Sequence, residues 1–338
     1  MNTRYLIDPN AADLEEWQYL GRNPWDICWG RPGEIFISDV QNARVLLIDT
    51  SGELISVIGR KGDGPGEFRT PWDIAYDREL DHLWVAERGG NFRISIFTRA
   101  GDDFQFRNRV QAPSLIASEK PTLLIEDQES FWINNLAQVR YRKVGDEFQL
   151  LGGGALTSRV QLMRLDGGQK RAFGDIWEIE LGGELYFGFN RGLLERINDQ
   201  IVFIAMHRPI VEIWSSEGRL IRKRDYSDIG FEVDPPYLES RTLIKAPSSF
   251  RASAVLAEEN LIYVCWASFG VYSHRILEIN ASSLEIQREY QVSRGESEDE
   301  DFYIWDILAE RIGNQVRFFC LNNFDSALAV MEVEEPPG

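Results

Sequence analysis

The hexapeptide PWDICW at 24–29 returns as PWDIAY at 71–76, so Trp25 and Trp72 stand 72 − 25 = 47 positions apart. Self-similarity at a fixed period constrains a fold more tightly than local propensity does. The first copy is followed by GEIFISD, NARVLLID and TSGELISVIG, the second by DHLWVAE, NFRISIFT and RAGDDFQFRNRV. Each copy is four short β-rich runs cut by Gly, Asp, Asn and Ser turns, the pattern of a four-stranded antiparallel meander. Meanders repeating at this period predict propeller blades.

Fainter copies continue to the end of the chain. The expected fold is all-β: a six-bladed β-propeller in one domain over 1–338, with blades at about 24–62, 71–110, 121–175, 190–226, 250–292 and 302–333. The last blade offers only three strands, and LEEWQYLG at 14–21 is predicted to supply the fourth. Closure of that kind removes the unpaired edges of an open array. Blade three carries an insertion around 136–157, and because 136–189 is hard to parse, seven blades is the main alternative. The stretches 175–192 and 228–248 read as loops, as does the acidic GESEDED at 295–301. No segment sustains the apolar spacing of a capped helix, which disfavours βαβ folds.

Composition agrees with a large β domain. The 338 residues are 43% hydrophobic and 12% aromatic, enough for a sizeable core. The net charge of −18 (36 basic against 54 acidic residues) opposes a phosphate backbone, so no nucleic-acid partner is expected. Cys28, Cys265 and Cys320 lie far apart in apolar strand-like runs and read as buried free thiols of a reducing compartment. No signal-peptide core and no membrane-spanning run is evident, so a cytoplasmic location with no membrane partner is expected.

GRKGDGPGEFRTPWDIAYD at 59–77 resembles the NHL-repeat propellers, and more closely a group of bacterial six-bladed propellers of mostly unassigned function. That group carries a Gly-x-Gly-Pro-Gly-Glu-Phe loop between blades one and two, matched here by Gly62, Gly64, Pro65, Gly66, Glu67 and Phe68. The stretch 190–221 is similar to the group's fourth blade. An NHL-type Asp-x-x-Asn-x-Arg is plain in DVQNAR (39–44) and partial in RGGNFR (88–93). The resemblance implies the fold and leaves the activity open, since propellers host both enzymes and binding modules.

Candidate chemistry gathers on one face of such a ring. Trp25 with Asp26, Trp72 with Asp73, and Trp305 with Asp306 recur at the start of three first strands, in blades that neighbour one another once the ring closes. They are expected to form an aromatic wall with carboxylates beside it. Carboxyls in such a setting acquire raised pKa values and exchange protons. Asp73, Asp306 and Asp26 are therefore the candidate catalytic residues, and Trp25, Trp72, Trp305, Arg88, His207, Arg208 and His274 the candidate substrate-binding ones. Arg88 or Arg208 suits an anionic group. The same face is expected to hold Asn42, Arg44, Asn91, Arg93, Asn134, Asn135, Asn322, Asn323 and Asp325. A packing motif gives the same recurrence: the indoles wedge between blades and the aspartates cap backbone N–H groups.

No cofactor is expected. A three-histidine zinc site is disfavoured because His82 starts a second strand, away from His207 and His274. A calcium site of the gluconolactonase or paraoxonase kind would draw on Asp26, Asp73, Asp306, Asn134 and Asn322, although nothing in their spacing demands a metal. GDGPGEF lacks the Lys-Ser/Thr of a phosphate loop, GGGAL at 152–156 is no dinucleotide fingerprint, and no nucleophile elbow appears. The leading expectation is a small-molecule site, catalytic only as a cofactor-independent lyase, hydrolase or cyclase in the manner of strictosidine-synthase-like propellers. The alternatives are a non-catalytic scaffold for a protein or peptide, and a calcium-dependent lactonase.

Overall fold

In the computed structural model, four-stranded antiparallel meanders account for every large sheet, and the fold is the six-bladed β-propeller. The structure describes residues 2–21, 23–87, 92–112, 122–134, 140–144, 147–152, 158–166, 168–175, 177, 180–181, 184–185, 192–206, 208–229, 248–268, 271–292, 304–322 and 325–334.

The chain divides into two compact units. The first comprises Met1–Ala112, Ala252–Leu256 and Val292–Gly338, and the second Pro113–Arg251 with Ala257–Gln291. In the first unit, blade 1 runs Pro24–Trp29, Glu34–Asp39, Arg44–Asp49 and Leu54–Ile58. Blade 2 runs Pro71–Asp77, His82–Glu87, Phe92–Ala100 and Asp103–Ala112. Blade 6 runs Asp306–Ile312, Gln315–Asn322 and Ala327–Glu334. The first strand of blade 1 touches the first strands of blades 6 and 2, which makes the three the inner strands of this unit.

Blade 6 is completed by Asn2–Ile7, which pairs antiparallel with Ala327–Glu334. The expected donor, 14–21, does not pair with that sheet; its centre, Glu16–Gln18, is a 3₁₀ turn. The chain leaves the closing strand at Asp8 and Pro9, where the Asp8 carboxylate accepts the Asn10 N–H at 2.9 Å. Further on, the carbonyls of Trp17 and Tyr19 are claimed by the Arg44 guanidinium at 3.0 and 3.1 Å, and Tyr19 O also by Asn42. Those groups are then spent on blade 1 and cannot join a ladder. Closure by an N-terminal strand stands; its position shifts to the six residues Asn2–Ile7.

The second unit holds blade 3 (Leu123–Asp127, Ser130–Ile133, Val160–Arg164, Gln169–Phe173) and blade 4 (Gly192–Ile197, Gln200–Ala205, Ile210–Ser215, Leu220–Asp225). Most of blade 5 belongs to it too (Ser248–Leu256, Leu261–Ser268, Val271–Asn280, Ile286–Val292). The insertion in blade 3 is a separate hairpin, Arg140–Val144 with Glu147–Gly152, set between strands two and three. In 175–192 a second short pair, Glu180–Leu181 with Glu184–Leu185, replaces part of the expected loop. Most of 228–248, and all of 295–301, lie outside the described residues.

The core follows from strand alternation. Ile35, Ile37, Leu46 and Ile48 of blade 1 face blade 6, packing with Phe319, Leu321, Leu328 and Val330. Phe36, Val45 and Leu47 point the other way and pack with Leu83, Val85 and Phe97 of blade 2. A strand buried on both faces is what stacked blades require. The Gly-Pro-Gly-Glu-Phe connector is packed rather than free. Phe68 is fully buried against Gly59, whose φ of +76° and lack of a Cβ let the ring approach.

Candidate functional site

Pro24 and Pro71 open their strands, where a missing N–H costs no ladder bond. The register then breaks between Pro24 and Ile27, and between Pro71 and Asp73. A bulge at each place re-aims the Trp-Asp pair. In blade 6, Ile304 stands in place of the proline, and the Trp305 N–H donates to Leu321 O at 2.8 Å.

These starts bring three indoles together. The Trp25 ring lies 4.2 Å from Trp72, tilted by 31°, and 4.5 Å from Trp305, edge-on at 61°. All three are only half-buried. The Trp25 indole N–H finds no acceptor among the described residues, so ring contact rather than hydrogen bonding positions it.

The aspartates turn inward: Asp26, Asp73 and Asp306 are 7%, 3% and 7% exposed. Asp306 of blade 6 accepts the Ile27 N–H of blade 1 at 3.2 Å, and Asp26 of blade 1 accepts the Ile74 N–H of blade 2 at 2.7 Å. Each carboxylate thus clamps the residue that follows the next blade's own Trp-Asp pair. Ser38 runs alongside, accepting the Asp26 N–H at 3.0 Å and donating to Trp72 O at 3.1 Å. Cys28 sits half-buried among these carboxylates; burial and the charges of Asp26, Asp73 and Asp306 push its thiol well up. It therefore remains a protonated thiol. Cys265 and Cys320 are buried thiols in no disulfide, as expected; Cys28 is the more exposed exception.

Other candidates resolve into local structure. Asn42 and Arg44 converge on the buried Asp39 at 2.8 Å each. Arg93 and Glu87, both buried, pair at 2.7 Å, and Glu87 also accepts the Arg69 N–H at 2.8 Å. Asp63 of the Gly-rich connector joins this knot through Arg93 at 3.1 Å and through Arg69. Asn134 donates to Gly192 O at 2.9 Å, and Asn322 donates to Asp325 at 2.6 Å. Arg208 belongs to the second unit, against the ring of Trp177 at 4.7 Å. His274, also in that unit, is buried in Val271–Asn280 opposite Ala267. Arg88, His207, Asn91, Asn135 and Asn323 lie outside the described residues. Among the described residues no three His, Cys, Asp or Glu side chains gather as a metal-ion set, and no helix is long and apolar enough to cross a membrane.

Sequence reasoning missed Ser38, which has no signal beyond its place before Asp39. It also missed the grouping of Arg159, Trp177, Glu212 and Lys223, which meet through the packing of blade 3 against blade 4.

Comparison with known proteins agrees with this architecture. Residues 20–94 match the family described as 6-bladed beta-propeller. A Bacteroides fragilis NCTC 9343 protein named as a candidate exported protein superposes with a TM-score of 0.60 at 11% identity, over 99% of this chain and 95% of that one. A member of the duf4221 family from Bacteroides vulgatus ATCC 8482 gives 0.58 at 9% identity, over 95% and 96%. A Bacteroides caccae protein of unknown function gives 0.50 at 10%, over 82% and 84%. At these identities the likeness shows the fold. No curated protein matches the chain.

Proposed function

We propose that this six-bladed propeller, similar in fold to Bacteroides proteins of unassigned function, is a small-molecule-binding protein whose working surface is the indole trio of blades 6, 1 and 2. The observation that carries the reading is that Trp25 touches both Trp72 and Trp305, and that all three are only half-buried where three inner strands begin. Large aromatic rings left partly open to solvent offer apolar area and electron-rich faces to a guest. Rings within 4.2 and 4.5 Å of each other present a compact platform, which suits one ring system better than a long peptide. The carboxylates behind them favour a neutral or cationic guest over an anion.

Acid–base turnover is the finer reading of the same platform. Asp26 and Asp306 each hold a backbone N–H, which supports a positioning role for them ahead of proton exchange. Asp73, beside Trp72, is the carboxyl to test for turnover.

The test is a thermal-shift and intrinsic-fluorescence screen of aromatic and cationic-ring metabolites, repeated on Trp72→Ala and Trp305→Ala. A guest that quenches and stabilises the wild type, and is lost in both variants, supports binding at the trio. If every stabilising compound acts equally on the variants, the platform is not the site. Conversion of a confirmed guest by the wild type but not by Asp73→Asn would add catalysis. Equal conversion by both would remove Asp73 from it.

A further inference from the structure

We propose that the second unit carries a separate oxyanion-binding site, built from Arg159, Arg208 and Lys223 around the ring of Trp177, for the phosphate or carboxylate group of a small molecule. This site shares no residue with the indole trio and does not depend on it.

Arg159 precedes the third strand of blade 3, and its side chain is 3% exposed. One edge of its guanidinium is satisfied: it pairs with Glu212 of blade 4 at 2.9 Å and donates through Nε to Asp175 O at 2.7 Å. The other edge is not. Its Nη1 is buried and has no hydrogen-bond partner among the described residues. A buried, charged donor left unpaired is costly, so the arrangement is completed by an acceptor brought from outside.

The surroundings specify the charge of that acceptor. The Arg159 guanidinium lies 3.9 Å from the centre of the Trp177 ring, Arg208 lies 4.7 Å from it, and the Lys223 ammonium 5.8 Å. The buried carboxylate of this group, Glu212, is already shared by Arg159, by Lys223 at 3.3 Å and by the Trp214 indole N–H at 3.1 Å. Asp175 and Asp225 act on the two arginines from exposed positions, where solvent screens them. The Arg208 side chain makes no ion pair among the described residues, and burial pulls its pKa, like that of Arg159, down from the ordinary value. Three cations gather at one indole, and the one buried carboxylate beside it is held by two of them, which leaves positive charge in excess within a protein of net charge −18. Guanidinium forks match the oxygens of phosphate and carboxylate, and stacking on an indole holds them in place. Lys223 is 43% exposed and Arg208 half-buried, so solvent reaches the group through them, while Arg159 is buried.

The experiment is isothermal titration of the intact chain with inorganic phosphate, sulfate and acetate at low ionic strength. One saturable site is expected. Phosphate or sulfate binding ahead of acetate assigns a phosphoryl-type group, and the reverse order a carboxylate; either supports the proposal. Arg208→Met, which breaks no ion pair, should weaken binding by at least roughly tenfold while leaving the melting temperature without anion unchanged. Lys223→Met, at a position 43% exposed, provides a second variant with the same expected direction. Arg222→Met on the same strand should bind as the wild type does. The proposal fails if none of the three anions gives saturable heat, or if both Arg208→Met and Lys223→Met bind like the wild type.

Discussion

The carboxylate of Asp26 accepts the backbone N–H of Ile74 at 2.7 Å, a bond between two blades made 48 residues apart. Asp306 repeats it with Ile27 at 3.2 Å. A side chain placed beside a candidate ligand platform is therefore also part of the seam that keeps adjacent inner strands in step.

Removing that acceptor strands a buried donor, since Ile74 is 3% exposed. Asp26→Ala should cost about 1–3 kcal/mol and lower the melting temperature by several degrees. Asp26→Asn keeps an acceptor oxygen and should lose less. Thermal denaturation of the pair checks this. Equal stability of Asp26→Ala and the wild type would show that the seam does not depend on the carboxylate.

The Glu87–Arg93 pair, 1% and 8% exposed, is the strongest candidate for a severe single-site effect. Arg93→Met would leave Glu87 with fewer cations in a buried place, a loss of about 3–5 kcal/mol. Urea unfolding should show it as a lower midpoint at unchanged slope. Because Arg93 also holds Asp63 at 3.1 Å, proteolysis should become faster within the connector 62–68.

The alkaline limit of stability should involve Tyr76. Burial, and then its 2.7 Å hydrogen bond to Asp81, push its hydroxyl up to about 12. A raised folded pKa means that the folded state keeps this proton while the unfolded chain gives it up near 10. The contribution is whole below about pH 10, and it fades as pH climbs towards 12. Tyr76→Phe should flatten stability against pH in that window and remove one late-titrating phenol from an ultraviolet absorbance titration. Loss of an early-titrating phenol instead would contradict the assignment.

The trio should announce itself optically. Trp25 couples to two partners, at 4.2 and 4.5 Å, so far-ultraviolet circular dichroism should carry an indole exciton couplet. Trp25→Phe should abolish it, whereas Trp72→Phe and Trp305→Phe should each leave part. A spectrum unchanged by Trp25→Phe would mean that the rings do not associate in solution.

The repeat made the blades legible because strand alternation and turn chemistry are local. Trp25 and Trp72 at equivalent positions implied that they would meet, and they do. The last closing strand was another matter: LEEWQYLG is the more aromatic of the two segments, and NTRYLI carries no distinguishing signal. What decides between them is that Arg44 captures the carbonyls of 17 and 19, a contact no local pattern displays. The aspartates were legible as a group, while their clamp bonds join residues of different blades, a relation no local pattern displays. Arg159 and Glu212 stand 53 positions apart in different blades, with nothing in either neighbourhood to pair them.

The strand Asn2–Ile7 lies against Ala327–Glu334. On the ribosome the earlier segment therefore emerges more than three hundred residues before its partner exists, and its ladder stays vacant until then. Blades 1 and 2 can form as they appear, but blade 6 cannot finish until its own third strand clears the exit tunnel. A circular permutant that joins Glu334 to Asn2 through a short linker and opens the chain between blades would turn this late, distant pairing into an early hairpin-like one.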